Sequence, residues 1–265
     1  MVNSLRRDRR LAMVAPMPAA LAPGDLKMPD FIRPTLGHRA DRVLGHGFSD
    51  RDIGCEWWRT ALERHDLAPA VRLHQHGDKE LLTRGDIFAI GRVATAPDAT
   101  DDDVLSLLWH ALAWGTGSSQ RGNARRIESL TGADRAVNVE LLRTAAKHAM
   151  DGDPASAYST LIRRGGGRIR GLGPAFFTKF LYFASEGTTG TRCLILDARV
   201  AGELGLAGWA SLPHRGGSYS YNWYTDTYVS YCELLAHWAE EESDRLKTTV
   251  WPDEIERALF AGPDQ

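Results

Sequence analysis

The chain has 265 residues, 43% of them hydrophobic and 25% charged, which suits a globular protein with a full core in one domain or two small ones. A formal net charge of -2 excludes a protein that coats nucleic acid through overall charge, but it leaves room for a local basic face. The cysteines, Cys55, Cys193 and Cys232, have no paired spacing, so neither a disulfide framework nor a zinc site is indicated, and no metal or cofactor is expected.

The first residues are Arg-rich, and the weakly apolar stretch that follows is interrupted by Pro16, Pro18 and Pro23. That is short and broken for an export signal, so residues 1–38 read as a leader without fixed structure or the product of a mis-set start, with export the lesser alternative. No stretch is long and apolar enough to span a bilayer, and the expected location is cytoplasmic and nucleoid-associated. Residues 39–98 read as a mostly helical extension: Val43, Leu44 and Phe48, then Cys55, Trp57, Trp58 and Leu62, suggest one or two helices broken near Gly45–Gly47. Val71 to His76 alternates like a strand, while Leu81, Leu82, Ile87, Phe88 and Ile90 fit a helix or a packed loop. His74 and His76 lack the acidic or thiol neighbours that a metal site needs.

Residues 99–265 read as the main helical domain. Asp101 to Asp103 are placed to cap a helix over Val104 to Trp114, whose Leu105, Leu108, Trp109 and Leu112 share one face. Trp114-Gly-Thr-Gly-Ser-Ser-Gln120 breaks it. Further helices are predicted from Arg121, over Leu141 to Met150, Pro154 to Arg164, Pro174 to Ser185 and Ala198 to Leu204, then an aromatic-faced one through Tyr224, Tyr228, Tyr231, Leu235 and Trp238, and a last one over Pro252 to Phe260. The fold class is all-α, with no βαβ rhythm.

The centre of this order is Arg168-Ile-Arg170-Gly171-Leu172-Gly173-Pro174, followed by a strongly apolar helix and then by Leu194-Ile-Leu-Asp197. Gly171 and Gly173 permit a tight turn, and Pro174 suits the first helical position, where its missing N–H is no loss. The free amides of such a turn form a small anion site. Arg163, Arg164, Arg168, Arg170 and Lys179 lie between Ile162 and Leu181 with no acidic residue, so a phosphate backbone is the natural anion.

Hairpin, apolar helix and isolated aspartate in this order resemble the helix-hairpin-helix DNA glycosylases, most of all their 8-oxoguanine branch. The segment Ala113 to Ile127 is similar to the family's polar loop and Asn-x-x-Arg-Ile helix that enter the damaged-base gap, with Asn123 and Arg126 at the matching places. The resemblance covers about residues 100–240. It implies a DNA glycosylase acting on a damaged or modified base, with an 8-oxoguanine-like purine favoured. The implied partner is double-stranded DNA with a flipped base, bound by a monomer.

The resemblance also implies roles. Asp197 would stabilise the oxocarbenium-like charge on the deoxyribose and orient water, besides capping the helix that it precedes. The sugar-attacking lysine of the bifunctional members is Ala175 here, so a monofunctional, water-using enzyme is favoured. Lys179 lies one turn further along and could bring an amine to the pocket, against the plainer expectation that it reaches solvent or a phosphate. Gly171, Leu172, Gly173, Pro174, Arg168, Arg170, Gln120, Asn123 and Arg126 are the DNA-contacting candidates. Trp114, Phe177, Trp223 and Tyr224 are candidate walls for the base, the last two within the aromatic run from Tyr219 that follows Arg215. The competing reading is a hairpin module that grips DNA without chemistry. Such a module has no use for a carboxylate at Asp197.

Overall fold

The computed structural model describes residues 26–67, 69–163, 166–186, 192–209, 214–215, 218–219 and 223–263. A 3₁₀ turn (Asp30–Thr35) and a π turn (Ala40–Leu44) lead into β1 (Gly47–Phe48), α1 (Asp50–Ile53) and α2 (Cys55–Glu63). There follow β2 (His74–His76), β3 (Lys79–Thr83), α3 (Arg84–Ala94), α4 (Asp101–Thr116), α5 (Asn123–Glu128) and α6 (Arg135–Met150). Then come α7 (Pro154–Leu161), β4 (Ile162–Arg163), β5 (Gly166–Gly167), α8 (Pro174–Ala184) and α9 (Ala198–Leu206). The chain closes with β6 (His214–Arg215), β7 (Ser218–Tyr219), α10 (Thr225–Leu246) and α11 (Pro252–Ala261). The molecule is mostly α, as expected.

The extension carries a small antiparallel sheet, order β1-β3-β2, with Phe48 opposite Leu82 and His74 opposite Leu81. Leu81 and Leu82 therefore lie in a strand and Ile87 and Phe88 in a helix, which the apolar run alone left open. The signal for the hairpin is Gly77-Asp78, a two-residue connection with Gly77 at φ +62°. Among the described residues no set of metal ligands gathers at His76, whose ring nitrogen meets Asp86 at 2.8 Å.

Helix starts follow local chemistry. Thr83 and Asp86 close a capping box on α3, and Thr100 and Asp103 close another on α4. The cap of α4 is thus Thr100, one residue before the aspartates that the sequence offers; Asp101 to Asp103 fill the first turn, where negative charge meets the helix dipole.

Residues 26–38, expected to lack fixed structure, are folded onto the core. Met28, Ile32 and Leu36 recur at a spacing of four and are buried in the main core, and the Trp238 indole donates to Leu26 O at 2.8 Å. Glu254 accepts from the Gly37 and His38 amides. The extension belongs to the same core, contributing Ile53, Trp58, Leu62, Leu82, Ile87 and Phe88.

α8 runs through the centre and packs on α3, α4, α6 and α7. It is apolar almost all round, as a helix enclosed by others must be. Its contact with α3 is close: a Cβ on Gly91 would lie 2.2 Å from Phe183 O. Arg84 of α3 and Glu256 of α11 form an ion pair at 2.7 Å, each 1% exposed, and Arg84 also donates to the Tyr182 hydroxyl of α8. Breaking such a pair leaves an uncompensated charge in the interior, so it fixes how α3, α8 and α11 meet.

Candidate active site

Three elements converge on one pocket. The last turn of α4 supplies Gly115, the second turn of α8 supplies Lys179, and the start of α9 supplies Asp197. Gly173, Pro174, Ala175, Phe176 and Arg199 complete a cavity of about 420 Å³.

Asp197 is held from both sides. Its Oδ1 accepts from the Arg199 and Val200 amides at 3.0 and 3.2 Å, making it the N-cap of α9. Its Oδ2 lies 3.3 Å from Lys179 Nζ. The three residues before it belong to no helix or strand, and side-chain hydroxyls satisfy much of their backbone. The Tyr228 hydroxyl donates to Leu194 O and accepts from its amide, Tyr231 donates to Ile195 O at 2.6 Å, and Thr178 of α8 accepts from the Leu196 amide. Burial raises the Tyr228 and Tyr231 phenols well above the ordinary range, so both remain donors. Thr178 thereby fixes the chain one residue before Asp197, and Lys179 is its neighbour.

Lys179 does not extend to solvent. It is 6% exposed, and its amine donates to Ala175 O at 2.9 Å and to Asp197. The stem occupies space that only a glycine leaves open: a Cβ on Gly115 would lie 2.5 Å from Lys179 Cδ and 2.9 Å from Cε. An amine and a carboxylate thus share one small cavity beside the hairpin. That arrangement can attack an electrophilic carbon and stabilise positive charge on it.

Over residues 41–260 the chain matches the family described as Putative 8-oxoguanine DNA glycosylase OGG-like protein. The chain belongs to this family. No curated protein and no solved structure matches it.

In this OGG-like chain the hairpin is built as the sequence suggests only in part. Gly171 takes φ +80°. Gly173 is extended at φ -82°, ψ 176°, which any residue can adopt, and a Cβ there would meet nothing within 4 Å, so neither backbone nor space requires a glycine at this position. Leu172 is 2% exposed and its amide donates to Ile169 O, so its side chain anchors the hairpin in the core. Pro174 stands at the first position of α8, as expected.

Arg168 and Arg170 are exposed, as an anion-binding role requires, and with Arg125 and Arg163 they outnumber Glu128 and Asp134 around a cavity of about 620 Å³. Arg164 lies outside the described residues. Arg126, Asn123 and Gln120 have a different occupation. Arg126 donates to Gly171 O and Asn123 Oδ1 and lies 3.6 Å over the Phe176 ring; Asn123 is fully buried and donates to Thr116 Oγ1. Gln120 donates to Ile53 O. Their polar groups are used within the protein: Arg126, steadied by Asn123, holds the hairpin, and Gln120 holds the end of α1.

The candidate base walls do not gather at this pocket. Trp114, Phe177 and Trp223 are 7%, 0% and 1% exposed and belong to the core. Tyr224 is exposed, at the N-cap of α10. The aromatic that lines the pocket is Phe176, one residue and 100° round α8 from Phe177. Residues 220–222 of the aromatic run lie outside the described residues. Gly115, Thr178, Phe176 and Arg199 were not legible as site residues, because none carries a local pattern that separates it from an ordinary helical position.

Proposed function

We propose that the chain is a DNA glycosylase that releases an oxidised purine from duplex DNA, and that Lys179 and Asp197 form its catalytic centre. The observation that carries this is the amine and carboxylate 3.3 Å apart in a cavity walled by the hairpin. The exposed arginines beside that hairpin are placed to take phosphates, and the Gly171 and Gly173 amides find no acceptor among the described residues.

In this reading the deoxyribose of an extruded nucleotide enters the cavity with C1′ toward Lys179. Asp197 stabilises positive charge on the sugar as the C1′–N bond breaks. The base leaves with the electron pair of that bond and takes up a proton, for which the ammonium of Lys179 is the nearest source on hand. The amine so freed forms a bond to C1′; a proton then passes from that nitrogen to the ring oxygen as the C1′–O4′ bond breaks, which leaves a protonated imine. Ala175, where the resemblance would put a lysine, favours a second reading in which water attacks C1′ and Lys179 only neutralises Asp197.

Base release from an 8-oxoguanine duplex, with and without borohydride, separates the two. The lysine route predicts a trapped adduct that Lys179→Ala abolishes. The water route predicts release without an adduct and strand breakage only after alkali. Asp197→Asn keeps a good helix cap while removing the charge, and should slow release by roughly 10²–10³-fold in either case. Undiminished release in Asp197→Asn would remove the pair from the mechanism.

A further inference from the structure

Phe176 is the aromatic wall of the Lys179–Asp197 cavity, and one of its faces is already occupied: the Arg126 guanidinium lies 3.6 Å over the ring centroid. We propose that the uncovered side of Phe176 carries the base of the extruded nucleotide, and that Arg126, acting through the ring, stabilises the negative charge that the base takes on as it leaves. This role rests on the glycosylase reading and names the residues that act on the leaving group. Phe176 would touch the base; Arg126 is a positioning residue behind it.

Position is the first support. Phe176 precedes Lys179 by three residues, so the two are neighbours on one face of α8. The Lys179 amine turns back along the helix to Ala175 O at 2.9 Å, which brings it over the turn that carries Phe176. A sugar whose C1′ faces that amine therefore has Phe176 within reach of its base. Arg126 is not among the residues that wall the cavity, so the cavity meets the ring on the side away from the guanidinium. An aromatic face there is a stacking platform for a base.

The charge of Arg126 is the second. Arg126 is 8% exposed, yet no carboxylate pairs with it among the described residues; its acceptors are Gly171 O, Arg121 O and Asn123 Oδ1. Arg84, also buried, has Glu256 as its counter-ion. Burial lowers the Arg126 guanidinium from the ordinary value, with no acid to offset it. Holding a backbone carbonyl does not call for a charge: Gln120 holds Ile53 O with a neutral amide. A buried cation without a counter-ion is costly, and its field is available to a ligand.

The reaction supplies a use for that field. As the C1′–N bond breaks, the base leaves with the bonding pair, and until a proton arrives that pair is spread over its ring. A cation behind the platform favours this state over the neutral bound base. Within the cavity Lys179 is paired with Asp197 and Arg199 lies over Phe260, which leaves Arg126 as the cation held against Phe176.

Two duplexes test this, one carrying 8-oxoguanine and one carrying a tetrahydrofuran abasic analogue, whose affinity reports on hairpin and pocket with neither base nor chemistry. Phe176→Leu should slow single-turnover release of 8-oxoguanine at saturating enzyme roughly 10- to 100-fold, with affinity for the analogue within about twofold of wild type. Phe176→Tyr keeps the platform and should keep most of the rate. Arg126→Gln and Arg126→Lys both lose the guanidinium fork, so both should weaken binding of the analogue to a similar extent. Only lysine keeps the charge, and Arg126→Lys should release the base roughly 10-fold faster than Arg126→Gln. Equal rates in those two would make Arg126 a strut for the hairpin and nothing more. Wild-type release in Phe176→Leu would take the base away from the ring. Either result overturns the proposal. A wild-type chain that releases no base would instead remove the glycosylase reading, and this role with it.

Discussion

At the scale of single residues, Gly115 and Lys179 depend on one another. Gly115 sits inside α4, where alanine would be the better helix former by about 1 kcal/mol. A methyl group there would meet the Lys179 stem, whose far end can move aside, so Gly115→Ala should fold at least as well as wild type. Its amine, however, would leave its place beside Asp197. We expect an unchanged or higher Tm together with a loss of roughly 10- to 100-fold in single-turnover base release. A variant with wild-type rates would mean that the position of the stem does not matter. The sequence puts Lys179 on the right helix, one turn after Ala175, but whether its amine turns inward depends on a glycine some sixty positions earlier. No local pattern reports that.

Asp197 was legible in sequence for the opposite reason. An isolated carboxylate after three aliphatic residues and before a helix is a local signal, and both its capping bonds and its partial burial follow from that setting. Arg126 and Asn123 show how such signals mislead. Polar residues on a loop-to-helix segment suggest an outward role, but once the hairpin folds back on α5 they become its internal struts.

At the scale of elements, the segment Cys193–Leu196 is held between α8 and α10 by hydroxyls in place of a strand. The aromatic face of α10 is plain in the sequence, yet its tyrosines read there as packing. Their oxygens do the positioning. Tyr231→Phe keeps the ring and leaves the Ile195 carbonyl without its donor, which should cost about 1–3 kcal/mol. The expected outcome is a lower Tm together with slower base release, since the same segment carries Asp197. A drop in Tm with the rate untouched would show that Asp197 does not depend on this support. The small sheet was only half legible: the Gly77-Asp78 turn is a local signal, whereas β1 is two residues long and exists only because β3 lies beside it.

At the scale of the molecule, two histidines tie stability to pH. His110 of α4 is 3% exposed; its Nδ1 donates to Ser106 O and its Nε2 accepts from the Arg72 amide, which fixes a neutral ring. Burial lowers it to about 4 from an ordinary 6.5, and His46 falls to about 3. Between those values the unfolded chain binds protons that the folded chain refuses, so stability rises with pH there. The contribution is complete above about 6.5 and is lost as pH falls from there toward 4 and then 3. Denaturant midpoints should therefore begin to fall near pH 6.5, and a His110→Gln variant should show a shallower fall between 6.5 and 4. Parallel curves for variant and wild type would assign the acid sensitivity to other groups. The single core that joins residues 26–98 to the later helices was not legible, because a core shared across a hundred residues leaves no periodic trace in either part.

The most direct test of the catalytic centre is to reduce the reaction of the wild-type chain with an 8-oxoguanine duplex by borohydride, digest it, and locate the sugar adduct by mass spectrometry. The adduct should fall on Lys179 and be absent from Lys179→Ala. An adduct on another amine, or base release that persists in Lys179→Ala at the wild-type rate, would contradict the account.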